Sequence, residues 1–267
     1  MGRHFTIAAW CAGVAAAGAI AGVSAPAKAD SLTIDRADYA DRLHGMWLGE
    51  LLANWTGRMT EGARRGDDLV NAPFYTDASW GDPSYANPYS GQPIGFNFQS
   101  PWLADDDTDV EYAYVHQITQ NGNNPLLSEP QLTQMWRQNC TQWLFYSDAH
   151  AKALVDRGAS AASTGVPAAN IYSHYIDAQL TTEVFGALAP GRPDQGMRYG
   201  LGPMLMTSRG HATHAAEWFE CLYSLAANVP SNLSPPQKMQ WLNAQARQYI
   251  PNTSKAADII DFVTNEF

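Results

Sequence analysis

The 267 residues carry 16 Lys and Arg against 26 Asp and Glu, a formal charge of −10. An acidic excess of that size excludes tracking of a nucleic-acid backbone, which needs clustered cations, so no nucleic-acid partner is expected. The length suits one domain with a sizeable core.

In chain order, the first element reads as a secretory signal. Arg3 and His4 precede an Ala-rich apolar stretch from Ile7 to Val23, and Ala27-Lys28-Ala29 forms an A-x-A cleavage site before Asp30. Residues 1–29 are then a signal peptide cleaved after Ala29, and the mature 30–267 chain is secreted or periplasmic. The stretch is short and glycine-rich for a membrane span, and no later segment matches the length that spanning needs, so no stable membrane insertion is expected after signal removal. Cys140 and Cys221 remain in the mature chain, each on the apolar side of a helical pattern, which leaves both a bridge and two buried thiols open.

From Asp35 the residues Tyr39, Leu43, Met46, Trp47, Leu51 and Trp55 recur at three to four residue steps and Gly57 ends the run, predicting an amphipathic helix. Arg58 to Trp102 is dense in Gly, Pro, Asn and Asp with aromatic residues between, and so long an irregular stretch is usually functional, here as a wall or lid. A second helix follows with Val110, Tyr114, Val115 and Ile118, ending at Asn121-Gly122. Ser128 with Pro130 and Gln131 opens a third that runs, with a break, to Gly158. Further helices are predicted over Ser173–Leu188, Pro193–Ser208, His211–Asn228 and Ser234–Tyr249, and a last one from Thr253. No run of alternating apolar residues argues for a strand, so the fold class is all-α.

Asp105-Asp106-Asp107-Thr108 lies where the irregular stretch meets the second helix. Crowded carboxylates repel unless water or a cation absorbs their charge, which points to a hard divalent ion. Thr108 with Glu111 three residues on also reads as a capping box, and acids at a helix start suit its dipole. The two readings are compatible. His211 and His214 share a helical face at i and i+3 but have no third ligand at metal spacing, so helix-terminal hydrogen bonding is expected of them.

The stretch GMWLGELLANWTGRMTE (Gly45–Glu61), the DDDT motif, IDAQLTTEVFGALAPGRPD (Ile176–Asp194) and RGHATHAAEWFECLYSLAA after Ser208 together resemble the ADP-ribosylglycohydrolase family. The resemblance covers about Asp35 to Asn228. It implies an orthogonal multi-helix bundle holding two magnesium ions and cleaving a glycosidic bond to ADP-ribose. The family's Thr-Asp-Asp-Thr metal motif falls on Asp105, Asp106, Asp107 and Thr108, with aspartate in the first place. Its Gly-Asp-x-x-Gly-x-x-x-Glu pattern falls on Ala53 through Glu61, where Gly57 and Glu61 match. The resemblance makes Glu61 the candidate catalytic acid/base; taken alone, Glu61 reads as an exposed glutamate.

A closing Asp-x-Asp-x-Thr motif of the family has no counterpart after residue 228, and Asp258 and Asp261 read as a solvated helix face. The chain is therefore expected to be incomplete at the C-terminal end of the bundle and to support at most one magnesium site, inactive in its two-metal form. The implied function is a magnesium-dependent glycohydrolase acting on ADP-ribose or a related ribosyl or sugar compound, with a small-molecule or ADP-ribosylated substrate. The alternatives are an exported helical sugar-binding protein or pseudoenzyme, and an unrelated all-α glycosidase with paired carboxylates.

Overall fold

The helical spacings are realised as a bundle in which one central helix packs against five others. The computed structural model describes residues 33–57, 77–85, 91, 93–95, 104–141 and 144–266, and among these no strand occurs. The unit spans Ile34 to Phe267. Its helices are α1 (Arg36–Gly57), α2 (Asp106–Gln120), α3 (Glu129–Gln138), α4 (Tyr146–Asp156), α5 (Ala161–Thr164), α6 (Asp177–Thr181), α7 (Glu183–Ala187), α8 (Pro193–Thr207), α9 (His211–Leu225), α10 (Pro235–Ala246) and α11 (Lys255–Glu266). No helix among the described residues is long and apolar enough to cross a membrane. Of the Arg58–Trp102 segment, the described parts hold two 3-10 turns, Asp77–Ser79 and Pro83–Tyr85.

Local chemistry sets the ends. Asp35 opens α1 by accepting the Ala37 and Asp38 N–H groups at 2.8 and 3.1 Å. Ser128 with Gln131 and Ser234 with Gln237 form reciprocal capping boxes for α3 and α10, each followed by proline in the first turn. Ser254 caps α11 by accepting the Ala256 N–H at 3.1 Å, and it also meets His214 Nδ1 at 2.7 Å. His214 thus makes the helix-terminal hydrogen bond expected of it.

The main core gathers α2, α3, α4, α7 and α8 around Tyr114, Met135, Trp136, Phe185 and Met206, all fully buried. Trp136 Nε1 donates to Tyr114 Oη at 3.0 Å, and the Tyr114 ring meets Phe185 edge-on at 5.3 Å. The indole and the phenol thereby satisfy each other's polar ends inside an apolar cluster. Helix α9 packs against α6, α7, α8, α10 and α11. Cys140 and Cys221 are both free and buried, and burial pushes the Cys140 thiol up to about 12.

Two sequence expectations fail for one reason. The predicted single helix over Ser173–Leu188 is two short helices broken at Thr182, and Glu111 does not cap Thr108. In an unbroken helix the Val184 N–H would donate one turn back, to Leu180. Instead it donates to Glu111 Oε1 at 2.7 Å, while the Thr181 and Thr182 hydroxyls bond back to the Asp177 and Ala178 carbonyls. Glu111 therefore caps α7, a helix 72 positions further along by its first residue, and the N-cap of α2 is Asp105. The C-terminal acids are placed as the sequence implied: Asp261 is half-exposed and paired with Arg247 at 2.7 and 2.8 Å.

Candidate functional site

The start of α2 is a junction between two distant stretches of chain. Asp105 has extended backbone, φ −105° and ψ −172°, and its Oδ1 accepts the Thr108 N–H at 3.4 Å. That same oxygen accepts Asn54 Nδ2 at 2.9 Å, and Asn54 Nδ2 also meets Thr108 Oγ1 at 3.1 Å. Thr108 Oγ1 in turn donates to Glu50 Oε1 at 3.1 Å. Glu50 and Asn54 stand one turn apart on α1, so a single helical face docks onto the aspartate motif.

Replacing Asn54 with alanine removes a donor from a half-buried acceptor pair. Asn54→Ala should lower unfolding free energy by about 1–2 kcal/mol in urea titration, without changing helix content by circular dichroism.

Behind the junction lies a group of buried glutamates. Glu111 on α2 and Glu220 on α9 are fully buried, and Glu50 and Glu183 sit at partly covered positions beside them. Among the described residues no donor reaches Glu50 Oε2, Glu111 Oε2, Glu183 Oε2 or either oxygen of Glu220, and none of the ion pairs involves these side chains. Burial raises the Glu50 carboxyl to about 6, opposed by the Thr108 hydroxyl and reinforced by Asp105. Burial raises Glu183 to about 8, with Glu50 adding to it. Glu111 is driven well above the usual range by burial, then by the charges of Glu183 and Glu50. Glu220 is raised by burial and by Glu217 and Glu183, and partial burial raises Glu217 to about 7. Tyr223, one turn beyond Glu220, is raised by burial and by Glu183, Glu50 and Glu111, so its phenol faces the same group.

Such a set can hold protons at neutral pH. A carboxyl kept neutral is a proton donor, and a half-exposed one titrating near 6 is suited to exchange protons with a bound molecule. Glu50, held by Thr108 beside the aspartate motif, has the position for that role, with its Oε2 covered by the surrounding chain.

The sequence-derived site residues are distributed unevenly. Asp105 is the N-cap and Asp107 is half-buried in the first turn of α2. The Asp106 side chain and the whole of Glu61 lie outside the described residues. Sequence reasoning missed Glu50, Glu183 and Glu220, and gave Glu111 the wrong partner. Their signal was acids at core positions of the helical period: Glu50 three residues after Trp47, Glu111 three before Tyr114, Glu220 four after Ala216.

No family model matches the chain, and neither a curated protein nor a solved structure matches it.

Proposed function

We propose that the chain is a magnesium-dependent glycohydrolase of the ADP-ribosylglycohydrolase type, exported, acting on ADP-ribose-linked or related ribosyl compounds. The observation that carries this is the hydrogen-bonded contact of Asn54 with Asp105 and Thr108, 51 and 54 positions apart. It joins the two segments whose motifs resemble that family.

The oxygen-only donor set at this junction fits a hard cation, and the buried Oε2 of Glu50 lacks a donor. Among the described residues no three Asp, Glu, His or Cys side chains converge as a ready-made cage. Asp105 and Asp107, with Asp106, would therefore hold one magnesium, with water filling the remaining positions, as suits an ion that dehydrates reluctantly. When bound, the ion would polarise a water and hold sugar hydroxyls.

The chain's own groups do the rest. Thr108 fixes one oxygen of Glu50, and the other, covered and without a donor, exchanges a proton with the leaving group or the water once substrate binding opens a path to it. Asn54 and the Thr108 N–H hold Asp105 through the same oxygen, Oδ1, which fixes the carboxylate beside the helix start. Glu61 stays a candidate acid/base on sequence grounds alone.

The test is release of free ADP-ribose from ADP-ribosyl-arginine, and of ribose from a nitrophenyl riboside, with magnesium and with EDTA. Glu50→Gln should lower kcat by about 100-fold or more and leave magnesium affinity by calorimetry unchanged. Hydrolysis indifferent to EDTA, or calorimetry showing no magnesium binding, would remove the proposal.

A further inference from the structure

A second surface carries chemistry and shares no residue with the carboxylate group. Tyr146, Tyr172 and Tyr175 form a cluster at the start of α4, with ring centroids 5.1, 5.3 and 5.8 Å apart in tilted and edge-to-face pairs. His150 meets Tyr172 at 6.0 Å and His174 meets Tyr175 at 4.8 Å. These rings are not core: Tyr146 is 53% exposed and Tyr175 36%. Beside them lies a cleft of about 320 Å³ whose lining includes Tyr146, Tyr172, His150, Arg157, Ala153 and Leu154.

Two features set the cluster apart from ordinary surface aromatics. Tyr146 has φ +37°, a conformation unfavourable for a bulky side chain and found where surrounding structure enforces it. Buried hydrogen bonds just after it hold the chain there: the Ser147 hydroxyl donates to the Thr207 carbonyl, and the Asp148 N–H donates to Asp177 Oδ1 at 3.0 Å. On this constrained backbone the Tyr146 residue remains exposed. Arg157, in turn, is exposed at the cleft rim, and among the described residues its guanidinium makes no hydrogen bond or ion pair.

We propose that this tyrosine cluster and its cleft form a saccharide-binding subsite. The volume is at the lower end of small-molecule pockets and matches one or two sugar rings rather than a longer ligand. The C–H face of a pyranose carries partial positive charge and lies well on the electron-rich face of a tyrosine ring. Sugar hydroxyls then need donors and acceptors at the rim, which the Tyr172 hydroxyl, the His150 imidazole and the Arg157 fork supply, while Tyr146 acts through its ring. A proline-rich peptide would also stack on tyrosines, but it needs an extended apolar groove, whereas this cleft is small and carries a cation and a histidine in its lining.

Saturation-transfer NMR on the mature chain, with cellobiose, maltose, N,N′-diacetylchitobiose and digalacturonic acid as probes, tests the subsite. At least one should take up saturation on its ring C–H protons. Its affinity should fall about tenfold in Tyr146→Ala and in Arg157→Gln, and persist in Tyr146→Phe. Arg157→Gln alters an exposed, unpartnered side chain and keeps the fold, so it decides the matter even where Tyr146→Ala melts early. Transfer to none of the four, transfer unchanged in Arg157→Gln, or binding of a decaproline peptide in place of the sugars would overturn the proposal.

Discussion

Gly186→Ala should abolish the native fold or cost about 3 kcal/mol or more in urea unfolding. Gly186 lies in α7 where that helix crosses α9, and a methyl there would overlap the backbone carbonyl of Glu220. The obstacle is main chain rather than a flexible side chain, so nothing local can swing aside. Retreat of α9 is blocked as well, because that helix also packs on α6, α8, α10 and α11. On the other side Gly196 of α8 stands against the Gly186 Cα at 3.2 Å, measured to the point its own Cβ would occupy. Gly45→Ala in α1 is the control: nothing lies within 4 Å of its Cβ position, and an Ala inside a helix is expected to be neutral or to stabilise by about 0.5–1 kcal/mol. Equal melting of the two variants would show that α7 and α9 do not approach as described.

Thermal stability should fall as pH rises from 5.5 to 8.5, against the behaviour of most acidic proteins. Glu183 titrates at about 8, Glu217 at about 7 and Glu50 at about 6 in the folded chain, with Glu111 and Glu220 also raised, against an unfolded value near 4.5. Each folded pKa is raised, so the native state keeps protons that the unfolded state sheds. Their contribution is complete below about 4.5 and is lost as pH climbs through the folded values. Asp261 acts oppositely: Arg247 lowers its pKa, so that pair weakens only when pH drops below the ordinary aspartate range. The midpoint at pH 8.5 should lie roughly 5 °C or more below that at pH 5.5. Glu183→Gln, a neutral mimic of the protonated acid, should flatten the slope. A midpoint that stays level or climbs would mean that these carboxyls ionise at no cost.

What could be read from residues alone follows the range of the forces involved. The helix starts at Asp35, Ser128 and Ser234 and the all-α class were legible, because caps and 3.6-residue spacing are local. The aspartate motif was correctly placed at a helix start. The division at Thr182 was not legible, since a carboxylate from α2 takes the Val184 N–H, and only the tertiary fold brings Glu111 there. The glutamate group was hidden for a similar reason. A glutamate in a helix normally reads as a solvated residue, and Glu220 is buried only because Gly200 of α8 leaves room for its carboxyl. Glu61, chosen from a spacing pattern, lies outside the described residues, whereas Glu50, eleven positions earlier, sits against the aspartate motif.

The formal charge of −10 counts every acid as ionised. With several glutamates neutral inside the bundle, the folded molecule carries less negative charge at neutral pH than its composition implies. Native electrophoresis should register this as mobility below that of a fully ionised acidic protein of the same size, and as an isoelectric point above the 5.0 expected from sequence. The deficit is released on denaturation. A weakly buffered solution at pH 7 should therefore turn more acid as the chain unfolds, and the heat of unfolding should depend on the buffer that receives those protons.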